Sequence, residues 1–355
     1  MNNDQILKLY ANCLPVQGAR RSIICDLQYQ SYKFIPNALY DILTKHKGKT
    51  TLAIKEYYQH ERDNQIDDYF KFILDNDLGF FCDQADSDNY PDLTLEWERP
   101  EIITNVILDI DPDNMYDLGK AAQEIALVNC KALQIRIFGG VSNNKIREIL
   151  DYFRLGALQH IEILTGYHDD FTVEILNQLS DDHQRLNLVT FHGSPRDMVM
   201  PMYAKLMTVI YRIRKVDSAE HCGIINPALF DVTPDAFMES KLYNSCLNRK
   251  ISVDVKGQIC NCPSLQKRYG HITSTSFLEA IQTEGFEIPG KIRKDDIQIC
   301  NHCEFRYICT DCRAFVVDPA DILSKPAKCS YDPFLAKWND NVNKREMDNE
   351  RCERQ

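Results

Sequence analysis

The stretch CNHCEFRYICTDC, which runs from Cys300 to Cys312, is the part of the sequence around which the rest is organised. It contains two CxxC pairs, and further cysteines flank it at Cys246, Cys262 and Cys329. A CxxC loop presents both sulfurs on one side, and metal and iron-sulfur sites reuse the spacing for that reason. The pattern therefore predicts a site where thiolates bind a metal ion or cluster.

Disulfide bonds and reduced structural thiols are the alternatives for these cysteines. A disulfide framework requires an oxidising compartment. The chain opens with Met-Asn-Asn-Asp-Gln-Ile, without the basic and apolar regions of an export signal, and it contains no apolar run long enough to span a bilayer. We therefore expect a cytoplasmic protein whose clustered cysteines bind metal.

The spacing alone leaves the identity of the metal open. Two structural zinc ions would each need four protein ligands in a tetrahedral arrangement. In a zinc ribbon, two well-separated CxxC knuckles supply the four ligands of one ion. Here only five residues separate the two pairs, and more cysteines lie on each side. Ligands interleaved between two sites are the more natural arrangement.

The complete pattern is Cx10Gx4C, a gap, CxxCx5CxxC, a second gap and a last cysteine, with Gly257 at the glycine position. It resembles the seven-cysteine SPASM domain, the auxiliary-cluster module that follows many radical SAM peptide-modifying enzymes. One spacing departs from that family, because the interval from Cys309 to Cys312 is a residue shorter than usual.

The resemblance implies two [4Fe-4S] clusters with crossed ligand sets. The implied ligands are Cys300, Cys303, Cys309 and Cys329 for one cluster, and Cys246, Cys262 and Cys312 for the other. The second set lacks a fourth sulfur, for which Cys222 and Cys260 are the candidates. Cys222 is preferred because a cysteine outside the motif has this role in some members of the family. An open fourth position, available to a substrate, is the third possibility.

Local patterns predict the elements around these cysteines. Alternation after Ile251 and a turn at Gly257 indicate a hairpin over residues 251–262, which would put Cys260 and Cys262 on one strand face. Residues 232–243 are predicted to be helical. A second helix is predicted over 276–282, capped at Ser274 or Thr275.

The 355-residue chain is 44% apolar and has a formal net charge of −11. This length allows two or three domains with hydrophobic cores. A phosphate-binding surface requires clustered Lys and Arg, but basic residues cluster only in short patches at 45–49 and 212–215. We therefore expect neither nucleic acid nor membrane as the main partner.

Residues 1–90 are predicted to form a small domain of a strand, three helices and a closing strand, which is a winged-helix-like pattern. The predicted elements are a strand over 21–30, helices over 38–45, 52–58 and 65–76, and a strand over 80–82. Cys13, Cys25 and Cys82 have no metal spacing and are interpreted as small apolar core residues.

Beyond a polar linker over residues 83–91, strands alternate with helices. The predicted strands cover 102–110, 132–138, 160–164 and 186–191, and the predicted helices cover 116–131, 144–153 and 172–179. Buried strands joined by helices indicate a parallel sheet, open or curled as a partial barrel. Residues 91–235 would form this domain and 236–340 the cysteine module, followed by a charged tail over 341–355 with a free thiol at Cys352.

The predicted α/β domain has the shape of a radical SAM core but lacks its motif. Such a core carries CxxxCxxC just after its first strand, where three thiolates leave one iron free for S-adenosylmethionine. Here the segment after Ile110 reads DPDNMY, and Cys130 stands alone on a predicted helix. Val141 also replaces the acid of the Gly-Gly-Glu motif. We therefore predict a degenerate radical-SAM-like barrel.

Ligands of parallel α/β proteins collect at the carboxyl ends of the strands. The polar residues predicted at those ends are Asp109, Asp111, Tyr167, His168, Asp169 and His192. A histidine near a carboxylate can act as acid or base, but loops are polar in every protein, so a functional cluster and ordinary loop polarity both stay open. His221 and His302 are expected to lie next to the metal ligands or to face solvent, and they are not expected to bind the metal themselves.

Several features together resemble the SPASM-domain peptide maturases of grasp-with-spasm systems. They are the missing CxxxCxxC, the cysteine module, the phrase NSCLNRKI over 244–251 and the step Cys262-Pro263-Ser264. Those proteins are encoded with an ATP-grasp ligase and a short precursor peptide. The N-terminal domain is similar to the PqqD-like element that holds a leader peptide by strand addition. The resemblance implies a role in maturing a ribosomal peptide.

Three functions remain as hypotheses. The first is an Fe-S peptide maturase or accessory protein with two clusters, acting on a precursor peptide alongside an ATP-grasp ligase. The second is a non-catalytic adaptor that delivers the precursor to the ligase, with structural zinc or Fe-S. The third is an unrelated zinc-stabilised binding protein. Whether the protein is an enzyme stays open, because the sequence identifies no catalytic residue.

Overall fold

The computed structural model describes residues 3–202 and 206–339. The strands are β1 (Ile6–Leu9), β2 (Cys13–Val16), β3 (Ser22–Asp26), β4 (Ser31–Ile35), β5 (Gly79–Cys82), β6 (Asn105–Ile110), β7 (Ala132–Gly140), β8 (His160–Gly166), β9 (Leu186–His192), β10 (Met198–Met202), β11 (Met207–Arg212), β12 (Lys250–Val253), β13 (Ile259–Cys260), β14 (Tyr331–Asp332) and β15 (Lys337–Trp338). The helices are α1 (Asn37–Lys45), α2 (Thr51–Tyr57), α3 (Asp63–Asp75), α4 (Leu118–Leu127), α5 (Asn143–Asp151), α6 (Val173–Asp182), α7 (Pro234–Leu242), α8 (Phe277–Gln282) and α9 (Ile288–Lys291). The predicted tail over 341–355, with Cys352, lies outside the described residues.

The N-terminal part has more strands than the sequence predicts. Its three helices are present, but β2, β3 and β4 form an antiparallel sheet and β1 pairs with β5. The strand predicted over 21–30 is present as β3, but it ends at Asp26, four residues earlier than predicted. Asp26 accepts backbone hydrogen bonds from Gln28 and Tyr29 at 3.0 Å each, and Gln30 has a φ of 51°. This side-chain turn ends β3 and reverses the chain into β4.

A mostly parallel sheet forms the centre of the molecule, as the alternation of strands and helices predicts. Its strand order is β10-β11-β9-β8-β7-β6-β12-β13. The neighbours from β11 through β12 pair in parallel, and the two outer pairs are antiparallel. Residues 195–213, which the sequence leaves unassigned, supply β10 and β11 at one edge.

The cysteine module shares this sheet through β12, which pairs in parallel with β6. β12 and β13 form the predicted antiparallel hairpin, and Gly257 in its turn has a φ of 76°, a conformation that glycine adopts at little cost. Since Cys262 follows β13 directly, the sheet fixes where its thiol lies.

Two helix ends differ from the predictions because side-chain caps decide them. α4 begins after Asp117, whose carboxylate accepts the amide of Lys120 at 2.9 Å, and it is therefore shorter than the predicted 116–131. The predicted cap of α8 at Ser274 or Thr275 is wrong. Ser276 caps α8 in a reciprocal pair with Glu279.

The hydrophobic core has two main parts. The larger one lies between the central sheet and helices α4, α5, α6 and α8. The second joins the N-terminal sheet to the cysteine module, since Ile23 and Cys25 of β3 pack in one cluster with Phe305, Tyr307 and Ile308. Segments far apart in the chain therefore share one packed interior. No helix among residues 3–202 and 206–339 combines the length and apolarity needed to cross a membrane.

Candidate metal centre

Short side-chain turns position the candidate thiols. After α7 ends, the side-chain oxygen Oδ1 of Asn244 accepts the amides of Cys246 and Leu247 at 3.0 Å each. Cys300 begins a 3₁₀ turn that ends at His302. Cys222 follows a 3₁₀ turn that Ser264 holds, by donating to the carbonyl of Ala219 at 2.9 Å. These contacts bring segments from different parts of the chain to the same place.

The first sulfur group, which we name the Cys246 group, contains Cys222, Cys246, Cys262 and Cys312. The pKa of Cys262 is raised to about 11, first by burial and then by the neighbouring charges of Cys246 and Cys222, against the opposing effect of Lys250. Burial raises the pKa of Cys312 as well, again with contributions from Cys246 and Cys222. These four thiols therefore lie within electrostatic range of one another.

Gly223 shows how closely the Cys222 segment approaches Cys312. A Cβ atom at Gly223 would lie 2.7 Å from Cys312 Sγ, and its φ is 85°. Only glycine fits such a close approach in this conformation without displacement. The segment that carries Cys222 is thus packed directly on the cysteine loop.

The second sulfur group, which we name the Cys300 group, contains Cys300, Cys303, Cys309 and Cys329. Burial raises the pKa of Cys300 to about 11 and that of Cys309 to about 12, with contributions from Cys329 to both. Burial raises the pKa of Cys303 well above its usual value, followed by the effect of Cys309. These thiols therefore also lie within electrostatic range of one another.

The surroundings of Cys260 differ from those of the four thiols in the Cys246 group. It is fully buried in β13, and its Sγ lies 3.7 Å from the carbonyl oxygen of Ser252. Its pKa is raised first by burial, and the charged neighbours that affect it are Arg268, Cys262, Asp254 and Asp109. Cys260 thus contacts the backbone of β12, whereas the segment that carries Cys222 packs on Cys312.

Within residues 3–202 and 206–339, no three Cys, His, Asp or Glu side chains are arranged to hold a single metal ion. A [4Fe-4S] cluster sets a different requirement, because it binds each cysteine through a different iron and so needs its four sulfurs farther apart than one tetrahedral zinc does.

Each group also has one lysine aimed at a sulfur. Lys250 donates to Cys246 Sγ at 3.6 Å. Lys294, which is 4% exposed, donates to Cys309 Sγ at 3.5 Å and to the carbonyl oxygen of Thr310 at 3.2 Å. The positive charges favour thiolates, the form in which cysteine binds metal. Sequence reasoning missed these lysines, because a single Lys near a cysteine motif is common.

Asp311 connects the two groups through a buried polar network. It accepts from Asn244 Nδ2 at 2.7 Å and from the Arg313 guanidinium at 2.8 and 3.1 Å. Asn244 forms the turn before Cys246, whereas Asp311 lies between Cys309 and Cys312. The network therefore fixes the cysteine loop relative to the turn of the other group.

The histidines near these cysteines make other contacts. His221 shares a hydrogen bond of 2.8 Å with Asp217, and the ring of His302 lies 5.4 Å from that of Phe334. The remaining predicted core cysteines, Cys13, Cys25 and Cys82, are buried as expected, as is Cys130 in the sheet core.

A cavity of about 670 Å³ lies at the carboxyl ends of β6, β7 and β12. Asp109 and Asp111 line it as the sequence predicts, together with Asp254 and Arg268, which the sequence did not indicate. A smaller cavity of about 220 Å³ shares Ser218 with it and is lined by Arg136, His221 and Cys222. Space for a ligand therefore reaches the Cys246 group.

The other polar residues predicted at the strand ends do not line the larger cavity. His168 shares a hydrogen bond of 2.7 Å with Asp170, and His192 is buried with its Nε2 3.4 Å from the carbonyl oxygen of Ile137. Tyr167 packs against the rings of Phe191 and Tyr211. The predicted cluster is thus only partly brought together.

Neither the protein-family models nor the curated proteins include a match to this sequence.

Proposed function

We propose that this protein binds two [4Fe-4S] clusters and takes part in maturing a ribosomally synthesised peptide alongside an ATP-grasp ligase. The observation that carries the proposal is the sorting of eight cysteines into two groups of four, each facing one lysine. In this proposal the central sheet is a degenerate radical-SAM-like partial barrel, the cysteine module is SPASM-like and the N-terminal part is winged-helix-like.

The proposed ligands are Cys222, Cys246, Cys262 and Cys312 for one cluster, and Cys300, Cys303, Cys309 and Cys329 for the other. Such clusters supply one-electron transfer when bound. The chain's own contributions are the turns that place the thiols, the Asp311 network that fixes the loop, and burial that limits access of water. The cavity beside Cys222 is where a substrate would come near a cluster.

A groove in the N-terminal part supports a peptide partner. Its volume is about 640 Å³, and β1, β2 and α1 line it with apolar residues that include Leu7, Leu14 and Leu43. Within the described part of the chain, β2 lies at the edge of its sheet and pairs only with β3. An extended precursor segment could add to such an edge, with its side chains in the groove.

A non-catalytic adaptor is the second candidate. Arg136 and Asp109, with side chains 6% and 2% exposed, form a bidentate ion pair at 2.6 and 2.8 Å at the carboxyl ends of β6 and β7. This ion pair engages Asp109, a lining residue of the larger cavity, in a contact with the neighbouring strand. In the adaptor the metal, zinc or Fe-S, would be structural and the groove would deliver the precursor to the ligase.

The first test is the metal content of protein purified without oxygen. We expect iron and acid-labile sulfide in equal amounts, with a brown charge-transfer absorbance. A Cys300→Ser, Cys303→Ser variant should lose about half the iron and much stability, because metal binding contributes to folding free energy. Colourless protein containing zinc, or a variant with unchanged iron, would contradict the proposal.

The second test separates the two candidates by the mass of the precursor peptide. A maturase should change that mass only with a reductant present. If the mass stays unchanged while the protein raises the activity of the ligase, the adaptor is correct.

A further inference from the structure

The groove in the N-terminal part is bordered on one side by a later segment of the same chain. Residues 87–95, which we name the connecting segment, line it together with β1, β2 and α1. We propose that the groove binds an extended peptide with acidic and apolar residues, and that this peptide displaces the connecting segment, which occupies part of the same surface. The inference rests on the proposed function, because it names the chemistry of the peptide partner.

The charges that line the groove are divided between its two sides. The lysines Lys8, Lys47 and Lys49 belong to the N-terminal part, whereas the carboxylates Asp88 and Asp92 belong to the connecting segment. Among the described residues that line the groove, no carboxylate comes from outside the connecting segment. The surface that faces this segment is therefore apolar and positively charged. A peptide that complements it has apolar and acidic side chains.

The polar contacts of the connecting segment with the N-terminal part are made by lysine side chains. Lys8 Nζ donates to the carbonyl oxygen of Ser87 at 2.6 Å, and Lys47 forms an ion pair with Asp92 in which both side chains are exposed. In the part of the chain that the structure describes, no backbone hydrogen bond joins residues 91–95 to β1 or β2. Exposed ion pairs contribute little to stability, so a competing ligand can replace these contacts.

The apolar residues of the connecting segment show how a peptide would fit. Leu93 and Leu95 are partly buried and line the groove, whereas Asp92 and Thr94, which precede them, are exposed. This alternation is typical of an extended chain, whose successive side chains point to opposite faces. A peptide with the same alternation can fill the same positions and also pair with the edge of β2. The added backbone hydrogen bonds would favour the peptide over the connecting segment.

The test measures the binding of two labelled synthetic peptides to the full chain by fluorescence anisotropy. The acidic peptide has the sequence SDNYPDLTL of residues 87–95, and the basic peptide has lysine at both aspartate positions. Lys47→Glu reverses a charge that faces the peptide, and Asp92→Asn removes the carboxylate that competes for Lys47. Lys71→Glu and Asp75→Asn are the matched controls, because they change the same charges in a surface pair of α3 outside the groove.

Wild-type protein should bind the acidic peptide about tenfold more tightly than the basic one. Lys47→Glu should weaken binding of the acidic peptide by about three- to tenfold and strengthen binding of the basic peptide. Asp92→Asn should strengthen binding of the acidic peptide by about threefold, because the connecting segment loses its ion pair. The two control variants should leave both affinities unchanged.

Equal affinity for the two peptides, or no binding of either, would overturn the inference. So would an Asp92→Asn protein that binds the acidic peptide no more tightly than wild type, because the connecting segment would then not compete. A control variant with an effect as large as that of Lys47→Glu would also contradict it, since net charge alone would explain the result.

The proposed function is decided separately, by iron content and by the mass of the precursor peptide. A protein that contains iron and modifies its precursor, but does not distinguish the two synthetic peptides, keeps the proposed function and loses the inference. Because all four substitutions are at exposed positions, the variants should fold, and circular dichroism verifies this.

Discussion

At the residue scale, Cys222 and Cys260 are the two alternatives for the fourth sulfur proposed for the Cys246 group. Cys222 is exposed and lies on a segment fixed by Ser264 and by Lys328, which donates to the carbonyl oxygen of Cys222 at 2.7 Å. Cys260 is buried in a strand and directed at the backbone of Ser252. The two cysteines that the sequence leaves as alternatives thus have different environments.

Cys222→Ala should remove about half of the iron from anaerobically purified protein, because a four-iron cluster with three thiolates is less firmly held. Cys260→Ala is the matched comparison and should keep the full iron content. Iron and sulfide per chain are the quantities to measure. Full iron in Cys222→Ala would instead favour the open fourth position.

The buried carboxyl of Glu239 makes the stability of the protein depend on pH. Burial raises its pKa from 4.5 to about 7, although the Asn248 amide, which donates at 2.9 Å, lowers it. A raised carboxyl pKa favours the protonated form in the folded protein. The protonated carboxyl contributes fully to the free energy of unfolding below pH 4.5, and this contribution is lost as the pH rises to about 7.

Glu239→Gln should therefore be more stable than wild type at pH 8, by about 1–3 kcal/mol, and should differ little at pH 4.5. Urea unfolding at the two pH values measures this. Glu287→Gln, on the surface beside Lys291, is the control and should show no pH-dependent gain. An equal effect of Glu239→Gln at both pH values would contradict the assignment.

At the scale of elements, contacts between α4 and α8 connect the central sheet with the cysteine module. Glu124 of α4 is 1% exposed, accepts the amide of Phe277 at 2.9 Å and pairs with Lys120 at 2.5 Å. Phe277 is the first residue of α8 and its amide has no partner inside that helix. A carboxylate from another helix thus caps α8 from outside.

Glu124→Ala should destabilise the protein by about 2–4 kcal/mol, since it leaves a buried amide and a lysine without their acceptor. Glu148→Ala removes a surface pair with Lys145 and should cost less than about 1 kcal/mol. Denaturant unfolding of both variants measures the difference. Equal losses of unfolding free energy in the two variants would show that the buried contact stabilises the protein no more than the surface pair does.

At the scale of the whole molecule, the N-terminal part and the cysteine loop are joined by a polar contact inside an aromatic cluster. Arg21 donates to Glu304 at 2.8 Å, and the Tyr331 hydroxyl donates to the same carboxylate at 2.5 Å. Glu304 is fully buried, next to Cys303, and Phe305 packs on Tyr32 and Phe34. The N-terminal part is thus physically connected to the loop that carries Cys303.

Arg21→Met should cost about 3 kcal/mol because it leaves the Glu304 charge buried with one donor fewer. Combined with Glu304→Gln, the two changes should be non-additive by about 1–3 kcal/mol. A double-mutant cycle in urea measures the coupling. Lys71→Met, which removes a surface pair with Asp75, is the control and should be additive with Glu304→Gln. Additivity of the first pair would mean that the two parts pack independently.

The features that were predicted correctly from the amino-acid sequence depend on residues close together in the chain. Strand and helix alternation predicted the parallel sheet, and the residues around Gly257 predicted the β12–β13 hairpin. Each of these signals lies within a few residues, where period and turn chemistry act directly. The turn at Asp26 and the cap at Ser276 were missed, because a side chain close to its own backbone overrides the apolar pattern there.

Only the tertiary structure decided the rest. It brought Cys222 against Cys312, aimed Lys250 and Lys294 at sulfur, and joined Arg21 to Glu304 across 283 residues of chain. No spacing rule contains such contacts, because they depend on how the sheet, the loop and the N-terminal part pack together. The reason is physical: local geometry follows from neighbouring residues, whereas the surroundings of a buried charge are set by whichever distant segments exclude water from it.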